Sequence, residues 1–153
     1  MGAFIGDYTC KLDAKGRILL PSAFLKQLPV KGHDRFVVKK DIFENCLVLY
    51  PIEEWENQNK LIRANINPYK KEHNLFLRNF YRGTAELVLD SNNRILIPRR
   101  LLDFLGRGKE VVLTGQDSKI EIWARDDYEK HAPGEEDFAR LAEKIMGGPL
   151  QEE

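Results

Sequence analysis

A ten-residue stretch occurs twice in this chain, and the duplication constrains the fold more than any other feature. Leu12 to Pro21 reads LDAKGRILLP, and Leu89 to Pro98 reads LDSNNRILIP, at an offset of 77. Six positions match: Leu12/Leu89, Asp13/Asp90, Arg17/Arg94, Ile18/Ile95, Leu19/Leu96 and Pro21/Pro98. A repeat at a fixed offset means two copies of one supersecondary unit. Each copy has one physical shape. An extended run ends at Asp, small or polar residues turn the chain, and Arg opens a second apolar run that Pro stops. Asp favours such turns because its carboxylate accepts hydrogen bonds from the backbone just ahead. Gly16 in the first copy, and Asn92 or Asn93 in the second, tolerate positive φ. The motif reads as a β-hairpin tip carrying Asp and Arg.

The repeat continues past the tip. Pro21-Ser22 and Pro98 open short helices, since Pro is welcome in a first turn. Phe24, Leu25 and Leu28 fill one face of the first; Leu101, Leu102 and Leu105 fill the same places in the second. Pro29 ends the one and Gly106 the other. Two strands follow in each copy: RFVVK (35–39) and CLVLY (46–50), then EVVLT (110–114) and KIEIW (119–123), the last two flanking a turn over 115–118. Acidic pairs, Glu53-Glu54 and Asp126-Asp127, then open further helices. Each repeat is β-turn-β-α-β-turn-β-α. Asn65 to Pro68 breaks the chain between repeats. A helix over 69–80 feeds a strand at 86–89, and an acidic helix over 135–146 closes the chain, with Phe138, Leu141, Ala142 and Ile145 on one face. Residues 147–153 are expected to fray.

Composition narrows the function. Among 153 residues, 42% are hydrophobic and 31% charged, which suits a water-soluble domain with a core. No apolar run reaches the roughly 18 residues of a membrane span, and no basic, then hydrophobic, leader is visible at the N-terminus. Cys10 and Cys46 lie outside any metal or redox spacing and read as reduced thiols. His33, His73 and His131 have no partner ligand at i+3 or i+4, so no metal or other cofactor is expected. No nucleophile elbow, glycine-rich phosphate loop or other catalytic constellation appears, so neither an enzyme nor a small-molecule substrate is expected. Net charge is zero but unevenly spread: residues 1–40 hold eight basic and three acidic residues, 60–100 nine and three, 126–153 three and nine. That asymmetry points weakly to a polyanionic partner for the basic parts.

The duplicated motif resembles the MraZ family, bacterial regulators linked to the division and cell-wall gene cluster. Asp13-Ala-Lys-Gly-Arg17 with Ile18-Leu-Leu-Pro21, and Asp90-Ser-Asn-Asn-Arg94 with Ile95-Leu-Ile-Pro98, match its Asp-x-x-x-Arg and Ile-x-x-Pro pattern. The segments 74–90 and 119–123 are also similar to that family. The departure is Asn92-Asn93, where the family often has glycine. The resemblance spans residues 1–130 and implies two tandem AbrB/SpoVT-like swapped-hairpin modules, mainly β with short helices, around a pseudo-two-fold, β-barrel-like core. The modules fall at 1–66 and 67–131, with an acidic helix and tail at 132–153. It also implies a sequence-specific regulator of transcription, cytoplasmic and nucleoid-associated, that binds repeated short promoter sites on double-stranded DNA as a ring of identical subunits.

The chemistry of the tips agrees with that partner. Arg17 and Arg94 offer paired donors that match guanine O6 and N7, or two phosphate oxygens. Asp13 and Asp90 repel phosphate and so orient the arginines rather than touch DNA. Lys15 contacts phosphate; its counterpart Asn92 is uncharged, so the first tip carries more of the salt-dependent affinity. Asn92 and Asn93 complete the second tip. The simpler alternative is that each Arg only staples its own turn. Trp55, Trp123 and Tyr128 read as core or subunit contacts, and Lys70-Lys71 as a solvated helix face. The other functional alternative is an antitoxin-like interaction module, which in this fold type joins one hairpin module to a disordered tail.

Overall fold

The computed structural model describes residues 2–28, 34–106 and 108–148. Pro29, Lys31, His33 and the last residues of the tail lie outside them. The order of elements follows the repeat. The first half holds β1 (Asp7–Lys11), β2 (Arg17–Leu19), α1 (Ser22–Leu25), β3 (Arg35–Lys40), β4 (Leu47–Pro51) and α2 (Ile52–Asn65). After α3 (Lys71–Tyr81), the second holds β5 (Ala85–Val88), β6 (Arg94–Leu96), α4 (Arg99–Leu105), β7 (Glu110–Gln116), β8 (Lys119–Ala124) and α5 (Arg125–Lys130). Helix α6 (Glu135–Met146) ends the described chain. Pro21 and Pro98 stand just before α1 and α4 with φ near −55°, and their carbonyls accept the first helical bonds, from Phe24 and Leu101 at 3.0 Å each.

The strands do not stay with their own half. Six of them form one sheet in the order β1-β7-β8-β4-β3-β5, and β2 pairs only with β6. Exchanging each strand for its counterpart in the other half returns the same order reversed. Thus β1 of the first half joins β7 of the second, with Asp7 opposite Thr114. Strand β5 of the second joins β3 of the first, with Arg35 opposite Val88. The hairpin expected at each tip is therefore only a turn. β1 and β2 part after it, because each finds its ladder in the opposite half. The barrel-like core is also corrected. The sheet is open: β1 and β5 are its two edges and do not pair with each other, so nothing closes the ring of hydrogen bonds.

Side-chain alternation builds three layers on this sheet. Phe36, Val38, Leu47, Leu49, Val111, Leu113, Ile120 and Ile122 face one side and form a single core with Ile18, Ile95, Phe24 and Leu101. The small β2/β6 layer and helices α1 and α4 thus cover one face of the large sheet. On the other face, α2 packs on β3 and β4, and α5 on β7 and β8. Burial on both faces explains why 47–51 is an unbroken apolar run rather than an alternating one. Ile18 and Ile95 sit opposite each other in β2/β6 and are fully buried. Each contributes about 1.5–3 kcal/mol of burial, and together they tie one half to the other.

Two local differences from the sequence reading have physical causes. Helix α1 stops at Leu25, earlier than expected, with Leu28 beyond it in a bonded turn. Strand β7 runs to Gln116, leaving only Asp117 and Ser118 as the turn instead of 115–118. The N-terminal segment accounts for the extension: Phe4 donates to the Asp117 carbonyl at 2.8 Å, and Gly115 donates to Gly6 at 2.9 Å. A side chain at Gly115 would stand 2.3 Å from the Phe4 carbonyl oxygen.

The turns make a direct test. Gly16 has φ +85°, and a Cβ there would lie 2.7 Å from Leu102 Cδ1 of α4; its counterpart Asn93 has φ +61°. Gly16→Ala is expected to destabilise the protein by about 1–2 kcal/mol, the cost of forcing a side chain into the left-handed region. Asn93→Gly should change stability by no more than about 0.5 kcal/mol, because relief of that strain offsets the freer unfolded chain. Urea unfolding of both variants reads the difference, and a Gly16→Ala midpoint equal to wild type would contradict the turn geometry.

Candidate nucleic-acid interface

Each repeated turn is built around its aspartate. In the first, Gly16 N–H donates to the Asp13 carbonyl at 3.0 Å and Asp13 N–H to the Arg17 carbonyl at 3.1 Å. The Asp13 carboxylate accepts from the backbone of Lys15 and of Arg17, both at 2.9 Å. The second turn repeats this: Asn93 donates to the Asp90 carbonyl at 3.1 Å, and the Asp90 carboxylate accepts from Asn92 at 2.8 Å and Arg94 at 3.0 Å. The bond from the Arg17 backbone is the main reason that Asp13 is held down at a pKa of about 2, aided by the Arg17 guanidinium and the Lys15 amide. The Arg94 backbone bond lowers Asp90 in the same direction. Both carboxylates are ionised near neutral pH, and both face their own turns.

The arginines differ in one respect. Arg17 Nε donates to Asp13 Oδ2 at 2.6 Å, so the first guanidinium is clamped. The Arg94 side chain makes no hydrogen bond or ion pair with any described residue. The Asp–Arg staple is thus present in the first copy, and the backbone bonds to Asp90 close the second turn without it. Residues 91–93 are exposed.

The register of β2 and β6 brings the two copies together. Arg17 stands opposite Leu96, Ile18 opposite Ile95, and Leu19 opposite Arg94. Ile18 and Ile95 point into the core, so period-two alternation turns the other four outward. Arg17 and Arg94 are diagonal neighbours on that outer face, with backbones about 7–8 Å apart. The two turns lie at opposite ends of this short ribbon. Leu19 and Leu96 share the face and are more than half exposed. The sequence reading did not single them out, although the Arg-Ile-Leu alternation carried the signal.

The surroundings of the two turns are unequal. A cleft of about 410 Å³ beside the first turn is lined by Lys15, Arg99 and Lys109, along with Asp13 and Asp103. Leu12 N–H donates to the Lys109 carbonyl at 2.8 Å, which seats that lysine beside the turn. Arg99 and Lys109 were also not singled out from sequence. Arg99 meets the turn through the packing of α4, and Lys109 through the bond that extends the β1/β7 ladder.

The other singled-out groups have structural partners. His73 Nδ1 accepts the Asn67 N–H at 2.9 Å, and His131 Nε2 lies 3.7 Å from Glu44. Asp41, Cys46 and Glu121 bring ligand-type atoms within 4.8 Å of one another. Asp41 is occupied by the Phe43 and Glu44 amides, and Glu121 by the Trp123 indole. Burial keeps the Cys46 thiol protonated by raising its pKa. Trp123 and Tyr128 pack with Cys46 and Val112, and Trp55 stacks on Phe80. Lys70 and Lys71 are exposed. No described helix is long and apolar enough to cross a membrane.

Comparison with known proteins fits this two-copy arrangement. The model of the MraZ protein family, also described as antitoxin-like, matches twice, at residues 3–79 and 80–146. A transcriptional regulator MraZ from Christiangramia forsetii is 46% identical over 144 residues, covering 94% of this chain and 92% of its own. The regulator of that name from Flavobacterium psychrophilum is 39% identical, covering 100% and 98%, and that from Bacteroides fragilis 38%, covering 94% and 90%. With both halves matched, and with such identity along nearly its whole length, the chain belongs to the MraZ family.

Proposed function

We propose that the outer face of β2/β6 is a DNA-reading surface and that the chain is a sequence-specific transcriptional regulator of the division and cell-wall gene cluster. The observation that carries this reading is the register that puts Arg17 and Arg94, one from each copy, diagonally across one outward face. A two-stranded ribbon fits the major groove, where a guanidinium pairs with guanine O6 and N7 and an apolar side chain meets the thymine methyl. Arg17 and Arg94 take the first role, and Leu19 and Leu96 suit the second. Lys15, Arg99 and Lys109 contact phosphates beside the first turn. Asp13 and Asp90 shape the turns, and Asn92 and Asn93 present the second to the backbone.

The relatives' names, transcriptional regulators rather than enzymes, support a non-enzymatic, cytoplasmic, nucleoid-associated role. In this reading residues 1–66 and 67–131 are two AbrB-like swapped-hairpin modules, and 132–153 is an acidic appendage. The exchange of β1 and β5 between halves supports the module assignment. An antitoxin-like role would call for one folded module and a segment free to wrap a partner. The second half instead supplies three of the six strands of the main sheet, which favours DNA. One ribbon is a small interface, so useful affinity comes from several subunits engaging repeated sites together in a ring.

Binding assays on the DNA upstream of the chain's own gene separate the roles. Arg17→Ala or Arg94→Ala should cost about 1–3 kcal/mol of operator binding and reduce discrimination against scrambled DNA. Lys15→Ala should weaken all sequences alike and flatten the log-log salt dependence by about one unit. Equal loss of specificity from Lys15→Ala would show that these roles are divided wrongly, and a wild type with no salt dependence would remove the DNA face.

Assembly is tested independently. Sedimentation velocity at tens of micromolar should show a species much heavier than a dimer. A monomer would remove the multivalent part of the proposal.

A further inference from the structure

Helix α6 carries an apolar surface that no described residue covers. Phe138, Leu141, Ala142 and Ile145 recur at i, i+3, i+4 and i+7, which places them on one face. Yet Phe138 is 60% exposed, Leu141 48% and Ile145 67%. An apolar stripe of this regularity is stabilised only by burial against something else. The same helix is acidic, with Glu135, Glu136, Asp137 and Glu143 against Arg140 and Lys144.

Elsewhere on the chain lies a cleft of opposite character. It measures about 520 Å³ and opens between α3, the end of β3 and the start of α4. Its walls are apolar, formed by Ile42, Phe76 and Phe80, and its rim carries Lys40, Arg82 and Arg100 against one acid, Asp41. Ile42 is 55% exposed and Phe76 44%. Arg100 is held in place by a 3.1 Å bond to the Gly83 carbonyl. At the floor, Lys39 is 97% buried, with Nζ 4.1 Å from the Phe80 ring centre. Its ammonium has three donors but donates one hydrogen bond to a described group, the Lys40 carbonyl at 3.1 Å. Asp41 nearby offsets part of the cost of burying this cation, and an arriving carboxylate would supply a hydrogen-bond acceptor that it lacks.

We propose that α6 of one subunit docks in this cleft on a second copy of the chain. The fit rests on three complementary features: an apolar stripe for apolar walls, acids for a basic rim, and a carboxylate for the buried Lys39. The helix leaves the cleft of its own chain empty, which favours a partner copy over self-docking. The contact is head-to-tail, since helix and cleft are different surfaces, and such contacts generate rings when the rotation closes. It supplies the joint for the assembly proposed above and rests on that reading.

Two measurements on the full chain test it. Phe138→Glu or Ile145→Glu should raise the concentration needed for assembly by at least about tenfold, as expected for loss of a buried interface anchor, while near-ultraviolet circular dichroism shows the sheet and its core still folded. Separately, Cys10 and Cys46 are replaced by Ala, and Leu141→Cys is co-expressed with a second chain carrying Phe76→Cys. Oxidation should then give a disulfide-linked dimer of one chain of each kind. If a chain carrying both substitutions instead closes on itself at monomer mass, the helix docks in its own cleft and the proposal is wrong. If no cross-link forms and assembly survives Phe138→Glu, the subunits meet through another surface, or α6 serves a different protein; either overturns the inference and leaves the ring intact. A wild type that sediments as a monomer overturns both.

Discussion

The exchange of strands between the two halves is the constraint on which the structure depends. Neither half can complete its own sheet. Strand β1 finds its ladder on β7, β5 on β3, β2 on β6, and β4 also pairs with β8, so the halves are joined by four sets of backbone hydrogen bonds. Leaving any of these backbone groups unpaired in the interior would cost about 1–3 kcal/mol each. The two halves therefore fold as one body, and the large core under β2/β6 exists only when both are present.

That exchange also places the candidate site. Arg17 and Arg94 are 77 residues apart in sequence and belong to different copies. They become neighbours because β2 has no partner in its own half. A unit that closed its own hairpin would have carried its arginine alone. The pairing also explains why Ile follows Arg in both motifs. The residue next to the outward guanidinium must face the core, and the two isoleucines meet there.

The repeat made much of this legible in the sequence. The element order, the Asp-centred turns, the positive φ at Gly16 and at one of Asn92 and Asn93, and the helices opened by Pro21 and Pro98 all follow from patterns spanning a few residues. The strand destinations did not follow. Hydrogen-bonding partners fifty or a hundred residues away leave no local mark, so each turn looked like a hairpin and the open sheet like a barrel. The end of β7 was misplaced for the same reason, since Gly-Gln-Asp-Ser reads as a turn until Phe4 is laid across it. At the site, Arg17, Arg94 and Lys15 stood out as charged residues in a repeated turn. Arg99 joins them through the packing of α4, Lys109 through its backbone bond to Leu12, and Leu19 and Leu96 only once the strand's two faces are known.

The two copies have not remained equivalent, and the difference has a consequence for recognition. Arg17 is already held by Asp13 in one orientation, so binding through it costs less side-chain entropy than binding through Arg94, which has no such clamp among the described residues. The first turn is ringed by Lys15, Arg99 and Lys109, whereas the second offers Asn92 and Asn93. A perfectly two-fold face would dock equally well in either sense along a duplex. With a clamped arginine and the added cation Lys15 at one end, and Asn92 in the place of that lysine at the other, the proposed face distinguishes the two senses. The lower entropy cost and the larger counterion release both favour seating the first turn on the more tightly read part of each site. Subunits related head-to-tail around a ring would then present the same polarity to successive sites, the arrangement that repeats running in one direction require.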